Sequence, residues 1–183
     1  MQQDHKGWHS RGYLPHFDSA ETIQFVTFRL ADSLPRAVAQ VLACLQDNLA
    51  ETDGKLDTGL GSCWLGQPAI ARLTQQALLH FDSVRYRLLA WCIMPNHVHV
   101  VVEPMNDHQL GGIVHSWKSF SAKEANRQLG RTGPFWHRDY FDRFIRDEGH
   151  LARTIDYVEN NPVKAGLVSE RAAWLWSSSR FRA

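Results

Sequence analysis

The stretch YRLLAWCIMPNHVHVVVE, residues 86–103, decides the fold. Residues 86–93 and 97–103 are rich in the β-branched and aromatic residues that favour strands. The three residues between them, Met94-Pro95-Asn96, have the composition of a tight turn. The stretch therefore predicts a β-hairpin in the middle of the chain, with two histidines just past its turn.

Periodic patterns on either side of the hairpin predict the remaining elements. Apolar and polar residues alternate over residues 23–30, IQFVTFRL, and the aromatic-rich residues 135–145 favour a fourth strand. Apolar residues at helical spacing predict helices over residues 33–48, 69–81, 108–129 and 148–160. Asp147 is expected to cap the last helix and Pro162 to stop it. With the helix over 69–81 counted as an addition, this order predicts an α+β fold: a ferredoxin-like βαββαβ sheet with an added C-terminal helix.

Length and composition fit one domain over residues 1–183. Residues 51–68 hold four of the twelve glycines, which indicates a Gly-rich surface insertion. Residues 1–20 show no period and are interpreted as an ordered arm or loop, and residues 169–183 form a C-terminal tail.

Composition also narrows the class of protein. Three cysteines without a CxxC pair argue against a disulfide framework and against a structural zinc site. No apolar run reaches the roughly 18 residues that a membrane-spanning helix needs, and the first residues are polar rather than signal-like. We therefore expect a cytoplasmic protein with no membrane partner.

The formal net charge is +1, so attraction of the whole molecule cannot bring it to nucleic acid. Between His115 and Arg138, however, five cationic residues stand against one acidic residue. Lys123, Arg127 and Arg131 follow one another at spacings of four, which predicts a ridge on a helix that either tracks phosphates or is simply solvated. The candidate DNA contacts are Arg11, Lys118, Lys123, Arg127, Arg131, Arg138, Arg143 and Arg146.

His97 and His99 are separated by one residue on a predicted strand, so both imidazoles point to one face. Such a pair can bind a metal ion, although a structural role is the commoner outcome. Hydrolases of the histidine-triad type need a third histidine two residues further on, and that position is Val101.

On the last predicted helix, Leu151, Ile155 and Val158 form the inward stripe, and Tyr157 lies off it. Tyr157 and Asn161, four residues apart, share one flank. Taken alone, they fit a rim tyrosine and a capping asparagine. Together with two imidazoles, they would give a divalent ion three ligands with open positions, and a hydroxyl that attacks a phosphate to form a phosphotyrosine.

Two blocks of sequence carry a family resemblance. WCIMPNHVHVVVEP (residues 91–104) and RDYFDRFIRDEGHLARTIDYVENNPVKAGLV (138–168) resemble the single-tyrosine HUH transposases, most closely the REP-associated tyrosine transposases of bacteria. GWHSRGYLPHFD (7–18), IQFVTFRLADSLP (23–35) and WLWSSSR (174–180) are similar too, so the resemblance spans nearly the whole chain.

The resemblance implies a role for each of these residues. His97 and His99 would be the HUH metal ligands, Asn161 the third ligand, and Tyr157 on the catalytic helix the nucleophile that forms a 5′-phosphotyrosine. It also implies Mg²⁺ or Mn²⁺ as cofactor, and single-stranded DNA hairpins of repetitive extragenic palindromes as partners, hence a nucleoid-associated protein. The expected activity is metal-dependent cleavage and joining of DNA strands.

Other functions stay open on the sequence alone. One alternative is a domesticated module that binds hairpins without turnover. A weaker alternative is a metal-dependent phosphodiesterase that uses a bound water. A monomer and a homodimer that exchanges the tyrosine helix are both compatible with the sequence.

Overall fold

The computed structural model describes residues 7–10, 15–18, 22–34, 54, 56 and 59–181. Within these ranges lie six strands, β1 (Gly7–Ser10), β2 (Pro15–Asp18), β3 (Gln24–Arg29), β4 (Tyr86–Ile93), β5 (His97–Pro104) and β6 (Phe141–Phe144). Three α-helices accompany them, α1 (Pro68–Leu79), α2 (Leu110–Gln128) and α3 (Glu148–Lys164). Most of the helix predicted over 33–48, and six residues of the Gly-rich insertion over 51–68, lie outside the described residues.

The predicted sheet is confirmed. Four strands pair in the order β4-β5-β3-β6, and every pairing is antiparallel. Of these four strands β3 comes first in the chain, and it lies between the third, β5, and the fourth, β6, as the ferredoxin-like βαββαβ arrangement requires.

The two faces of the sheet are covered by different helices. In the β3–β5 register Thr27 lies opposite His99 and Arg29 opposite His97, so these side chains share one face with Phe25. Helix α3 packs on this face, which we call the histidine face. Helices α1 and α2 cover the other face through a larger apolar cluster that includes Val26, Phe28, Val98, Val100 and Trp117.

Helix α3 begins as predicted and ends later than predicted. The Asp147 carboxylate accepts a hydrogen bond from the backbone N–H of His150 at 2.7 Å, which caps the first turn. The helix then continues through Pro162 to Lys164. Proline removes one backbone donor, but its fixed φ is helical, so a last turn can follow it.

The prediction for the first residues needs correction, and that for residues 135–145 is confirmed. Residues 7–10 and 15–18 are not a loop but pair as a short antiparallel ribbon. The aromatic-rich residues 135–145 contain the expected fourth strand of the sheet at Phe141–Phe144. Before this strand, Trp136 forms an isolated bridge with Leu30, and the N–H of His137 donates to the carbonyl of Arg29 at 2.8 Å.

The C-terminal segment lies along the outer edge of β4. The N–H of Ile93 donates to the carbonyl of Trp176 at 2.8 Å, and Ser177 forms a bridge with Cys92. The segment thus pairs with part of an edge strand that would otherwise present unpaired backbone groups. In the described part of the chain, no helix has the length and apolarity needed to cross a lipid bilayer.

Candidate active site

His97 and His99 form the centre of the site. Both are fully buried at the start of the central strand β5, and their Nε2 atoms lie 3.0 Å apart. Because the strand alternates, Val98 between them points into the opposite core. The prediction that both imidazoles share one face is confirmed.

Asn96 fixes the orientation of His97. Its side-chain amide donates to the backbone carbonyls of Leu56 at 2.9 Å and Leu60 at 3.1 Å. Its Oδ1 must therefore be the atom that faces His97 Nδ1 at 2.8 Å, and this nitrogen carries the proton. The lone pair of His97 lies on Nε2, toward His99.

The Gly-rich insertion thus reaches the site, a role that its composition did not indicate. Leu56 and Leu60, which hold Asn96, both belong to it. Gly61 next to them has φ +88°, and a Cβ there would lie 2.7 Å from the backbone oxygen of Asp32. This close approach requires glycine.

Thr27 orients His99 in the same way. Its hydroxyl lies 2.8 Å from His99 Nδ1 across the β3–β5 pair. A hydroxyl can donate or accept, so Thr27 can satisfy either neutral tautomer of His99. When it accepts from Nδ1–H, the Nε2 lone pairs of both histidines face the same point.

Both imidazoles are neutral at physiological pH. Burial lowers the pKa of His99 to about 3. Burial, together with the neighbouring His99, holds the pKa of His97 well below its ordinary value. Neutral imidazole is the form that binds metal ions, so little proton competition is expected near pH 7.

Tyr157 lies beside this pair. Its ring contacts His99 edge to face at a centroid distance of 5.9 Å and contacts Phe25 at 6.2 Å. The Lys164 ammonium lies 4.5 Å from the centroid of the tyrosine ring. A positive charge there favours negative charge that develops on the phenolic oxygen. Tyr157 is half-buried.

Asn161 lies one turn beyond Tyr157. Because α3 continues past Pro162, the two residues stay on one flank, as predicted. Asn161 is 1% exposed, and its Oδ1 is buried without a hydrogen-bond partner among the described residues. A buried carbonyl oxygen in that state is costly unless a ligand satisfies it.

The donors fit a divalent metal ion. Neighbouring nitrogen ligands of an octahedral ion with bonds of about 2.1 Å lie about 3.0 Å apart, which is the separation of the two Nε2 atoms. The Asn161 oxygen would be a third, neutral donor. Among the described residues no cluster of three or more His, Cys, Asp or Glu side chains occurs.

A comparison with known protein families finds a match to the part of the chain that contains these residues. The family model described as "Transposase IS200 like" matches residues 69–161, which is half of the chain and includes the histidine pair, Tyr157 and Asn161. The chain belongs to the IS200-like transposase family.

Two individual proteins are similar to part of this chain. Over 103 residues this IS200-like transposase is 31% identical to a protein of Haemophilus influenzae described as a REP-associated tyrosine transposase, covering 51% of this chain and 58% of the relative. An uncharacterised protein of the same organism is 25% identical over 99 residues, covering 42% of this chain and 54% of that protein. The matches thus span less than two thirds of either relative.

A solved structure has the same fold. A REP-associated tyrosine transposase bound to a REP hairpin superposes with a TM-score of 0.58 at 15% identity, covering 91% of this chain and 81% of that one. At this identity the likeness concerns the fold alone.

Among the described residues, the candidate DNA contacts do not form one surface. Arg11 lies outside the described residues. Lys118 is half-buried, and its ammonium donates to the backbone carbonyl of Arg138 at 2.9 Å. Burial, with the nearby Arg29, lowers the pKa of Lys118 to about 8, while Asp139 opposes the shift. These contacts favour a structural role for Lys118.

The predicted ridge on α2 is shorter than its spacing suggested. Lys123 and Arg127 are exposed on the helix, and Arg127 pairs with Glu124 at 2.9 Å. Arg131 lies beyond the helix end, because Gly130 adopts φ +61° and turns the chain away. Its guanidinium lies 5.9 Å from the ring of Trp64 and 5.8 Å from that of Phe135.

The cationic candidates also differ in which side of the sheet they lie on. Helix α2 covers the face opposite the histidines, so its ridge lies on the far layer from the site. Arg143 lies opposite Phe25 in the β3–β6 register and therefore projects from the histidine face. Arg138 and Arg146 are exposed near the two ends of β6.

The sequence interpretation missed four residues, namely Thr27, Arg29, Asn96 and Lys164. Of these four, only Arg29 could have been identified from the sequence, because a charged residue in an otherwise apolar strand is rarely buried without a partner or a function. It lies opposite His97 in the sheet register, and burial lowers the pKa of its guanidinium to about 10.

Proposed function

We propose that this transposase cleaves and joins single-stranded DNA next to a hairpin, with Tyr157 as nucleophile and a divalent metal ion as cofactor. The observation that carries the proposal is the contact of the Tyr157 ring with His99. The Nε2 atom of His99 in turn lies 3.0 Å from Nε2 of His97. The proposed nucleophile and the two imidazoles proposed to bind the metal ion thus lie on one face of the sheet.

His97, His99 and Asn161 would hold Mg²⁺ or Mn²⁺. When bound, the ion would polarise the scissile phosphate and stabilise the departing oxygen. Asn96 and Thr27 hold the two imidazoles so that their ring orientation is set before the ion arrives.

Tyr157 performs the covalent step. A bond forms between its phenolic oxygen and phosphorus, and the bond from phosphorus to the 3′ oxygen breaks, so the 3′ oxygen leaves and takes up a proton. The phenol gives up its proton as it attacks. One phosphodiester replaces another, so the step is reversible and a second 3′ hydroxyl can rejoin the strand.

The proposed substrate is a hairpin of the repetitive extragenic palindrome type. It is suggested by the description of the Haemophilus influenzae relative and by the DNA bound in the solved structure with the same fold. A net charge of +1 is compatible with recognition by hairpin shape rather than by bulk attraction. We keep monomer and homodimer as alternatives for the active species, and a nucleoid-associated location as part of the proposal.

An oligonucleotide carrying a hairpin and a single-stranded flank tests the proposal. With Mg²⁺ or Mn²⁺, a 3′-labelled strand should become attached to the protein on a denaturing gel, because Tyr157 retains the 5′ phosphate of the 3′ fragment. A 5′-labelled strand should give a shorter free product. EDTA should abolish both products and leave the shift on a native gel.

The same experiment identifies the two alternatives. Cleavage with both labels on free fragments would indicate a phosphodiesterase that uses water, and would overturn the role of Tyr157. Binding in both metals with an uncut strand would indicate a domesticated binding module without turnover.

Thr27→Val is expected to weaken Mn²⁺ binding by about 10- to 100-fold, the usual cost of removing a residue that orients a metal ligand. Valine keeps the shape of threonine and removes the hydroxyl at His99 Nδ1. Calorimetric titration would measure the affinity. Thr74→Val is the matched control, since that buried hydroxyl donates to the carbonyl of Ile70 within α1. Equal affinities in the two variants would contradict this role for Thr27.

Arg143→Ala should weaken binding of the single-stranded flank several-fold and reduce the dependence of log affinity on log salt by about one unit. Arg127→Ala should change little, because Arg127 pairs with Glu124 on the far layer. Gel-shift titrations at three salt concentrations would compare them. A larger loss in Arg127→Ala would mean that DNA follows α2 instead.

A further inference from the structure

The C-terminal segment, residues 174–180, links the two halves of the candidate site. Through Trp176 and Ser177 it pairs with β4 at Ile93 and Cys92. Cys92 in turn lies opposite His99 in the β4–β5 register. The segment is thus held at the end of the sheet that carries the histidine pair.

The same segment reaches helix α3 through one hydroxyl. Ser178 Oγ accepts a hydrogen bond from the N–H of Trp91 at 3.0 Å and donates one to Glu159 Oε1 at 2.8 Å. Glu159 is 2% exposed and lies two residues after Tyr157 on α3. A chain of hydrogen bonds therefore runs from β4 through Ser178 to the helix that bears the tyrosine.

We propose that Ser178 and Glu159 are positioning residues that fix Tyr157 relative to the histidine pair. The inference rests on the proposed function for its catalytic consequence. Neither residue touches the substrate in this scheme, and both act through the placement of α3.

The need for such a link follows from how α3 is held. On the histidine face the helix packs through Leu151, Ile155 and Val158. Apolar packing is non-directional, so by itself it tolerates small shifts of a helix along and around its axis. A hydrogen bond has a preferred length and angle, and a buried carboxylate is costly without partners. The link to Ser178 therefore favours one axial position of α3.

The surrounding contacts hold the segment itself in place. Trp174 Nε1 donates to the carbonyl of Ile93 at 3.0 Å. Ser179 Oγ donates to the carbonyl of Arg171 at 2.9 Å, and so holds the segment to the residues just before it. The half-exposed Arg171 guanidinium lies 3.4 Å from Asp156 and 3.9 Å from Glu159, so Ser179 has no direct bond to α3. Ser178 and Ser179 are adjacent, buried and chemically identical, yet only the first has a hydrogen bond to the tyrosine helix.

The adjacent serines allow a matched test. Ser178→Ala is expected to slow formation of the protein–DNA adduct by roughly 10- to 100-fold under single turnover, because a misplacement of about 1 Å costs that much. Hairpin affinity should be unchanged. Ser179→Ala also loses one buried hydroxyl and should keep the wild-type rate. Glu159→Gln, which retains an oxygen acceptor for Ser178, should stay close to wild type, whereas Glu159→Leu should behave like Ser178→Ala.

Hydrogen exchange provides a measurement that does not depend on activity. Ser178→Ala should speed exchange of the amides of α3 around residues 157–161 and of Trp91, and Ser179→Ala should not. If wild-type protein formed no adduct, the proposed function would fail, and the exchange data would still decide whether Ser178 restrains α3. Equal exchange and equal adduct rates in the two serine variants would overturn the inference. A wild-type rate of adduct formation in Glu159→Leu would also overturn the inference. This second variant keeps the test decisive if Ser178→Ala does not fold.

Discussion

Tyr157→Phe is expected to abolish the covalent protein–DNA adduct, with a loss of at least about a thousandfold, since removal of a nucleophile leaves only the uncatalysed path. Phenylalanine keeps the ring and its contacts with His99 and Phe25. The fold and the affinity for hairpin DNA should therefore be preserved. A denaturing gel with a 3′-labelled hairpin oligonucleotide in Mn²⁺, and a native gel with the same strand, would measure the two quantities.

Tyr140→Phe is the control for this substitution. Tyr140 lies in a strongly aromatic stretch and would be the first substitute if Tyr157 were not the nucleophile. In the fold it is 7% exposed and belongs to the apolar cluster on the face away from the histidines. The Tyr140→Phe protein should form the adduct at the wild-type rate. Persistence of the adduct in Tyr157→Phe would show that another residue is the nucleophile.

The second large effect concerns stability against acid. In metal-free buffer, the free energy of unfolding should fall by about 4 kcal/mol between pH 7 and pH 5, since each of the two buried neutral histidines approaches a slope of about 1.4 kcal/mol per pH unit once the pH is below 6.5. In the folded chain the pKa of His99 is lowered to about 3 and that of His97 is also strongly lowered. In the unfolded chain both histidines bind protons near pH 6.5, whereas in the folded chain they stay neutral at that pH. The contribution is fully present above pH 6.5 and is lost as pH falls toward the folded pKa.

Urea denaturation in EDTA at pH 7, 6 and 5 would measure this dependence. His99→Gln should reduce the slope by about half, because one of the two titrating groups is gone. His115→Gln is the control, since His115 is exposed on α2. Against a total stability of about 5 to 15 kcal/mol for an ordinary domain, the effect would be large. An unfolding free energy that does not change between pH 7 and pH 5 would contradict the buried neutral pair.

Local sequence patterns predicted much of the fold and the relative placement of the main site residues. Alternation and helical spacing located β3–β5 and the described helices, and the one-residue spacing of His97 and His99 fixed their common face. The flank shared by Tyr157 and Asn161 followed from helical geometry alone. These inferences succeeded because they depend on period, which is a property of neighbouring residues.

Contacts between distant segments could not be obtained in this way. Asn96 is held by carbonyls some forty residues earlier in the chain, and any residue type could have supplied those carbonyls. The ridge on α2 was identified correctly up to Arg127, but its layer depends on the path of the chain between strands. Arg131 was misplaced because a single left-handed residue, Gly130, redirects the chain after the helix.

The pairing of residues 176 and 177 with β4 has a practical consequence for anyone who shortens this protein. A version that ends before Trp174 would uncover backbone donors and acceptors along β4, and an uncovered edge is a template for a strand of another molecule. Such a truncated protein should self-associate as its concentration rises. A loss of activity in the truncated protein would then reflect self-association as well as any change in the site. The apparent molecular mass in solution therefore has to be measured alongside the reaction.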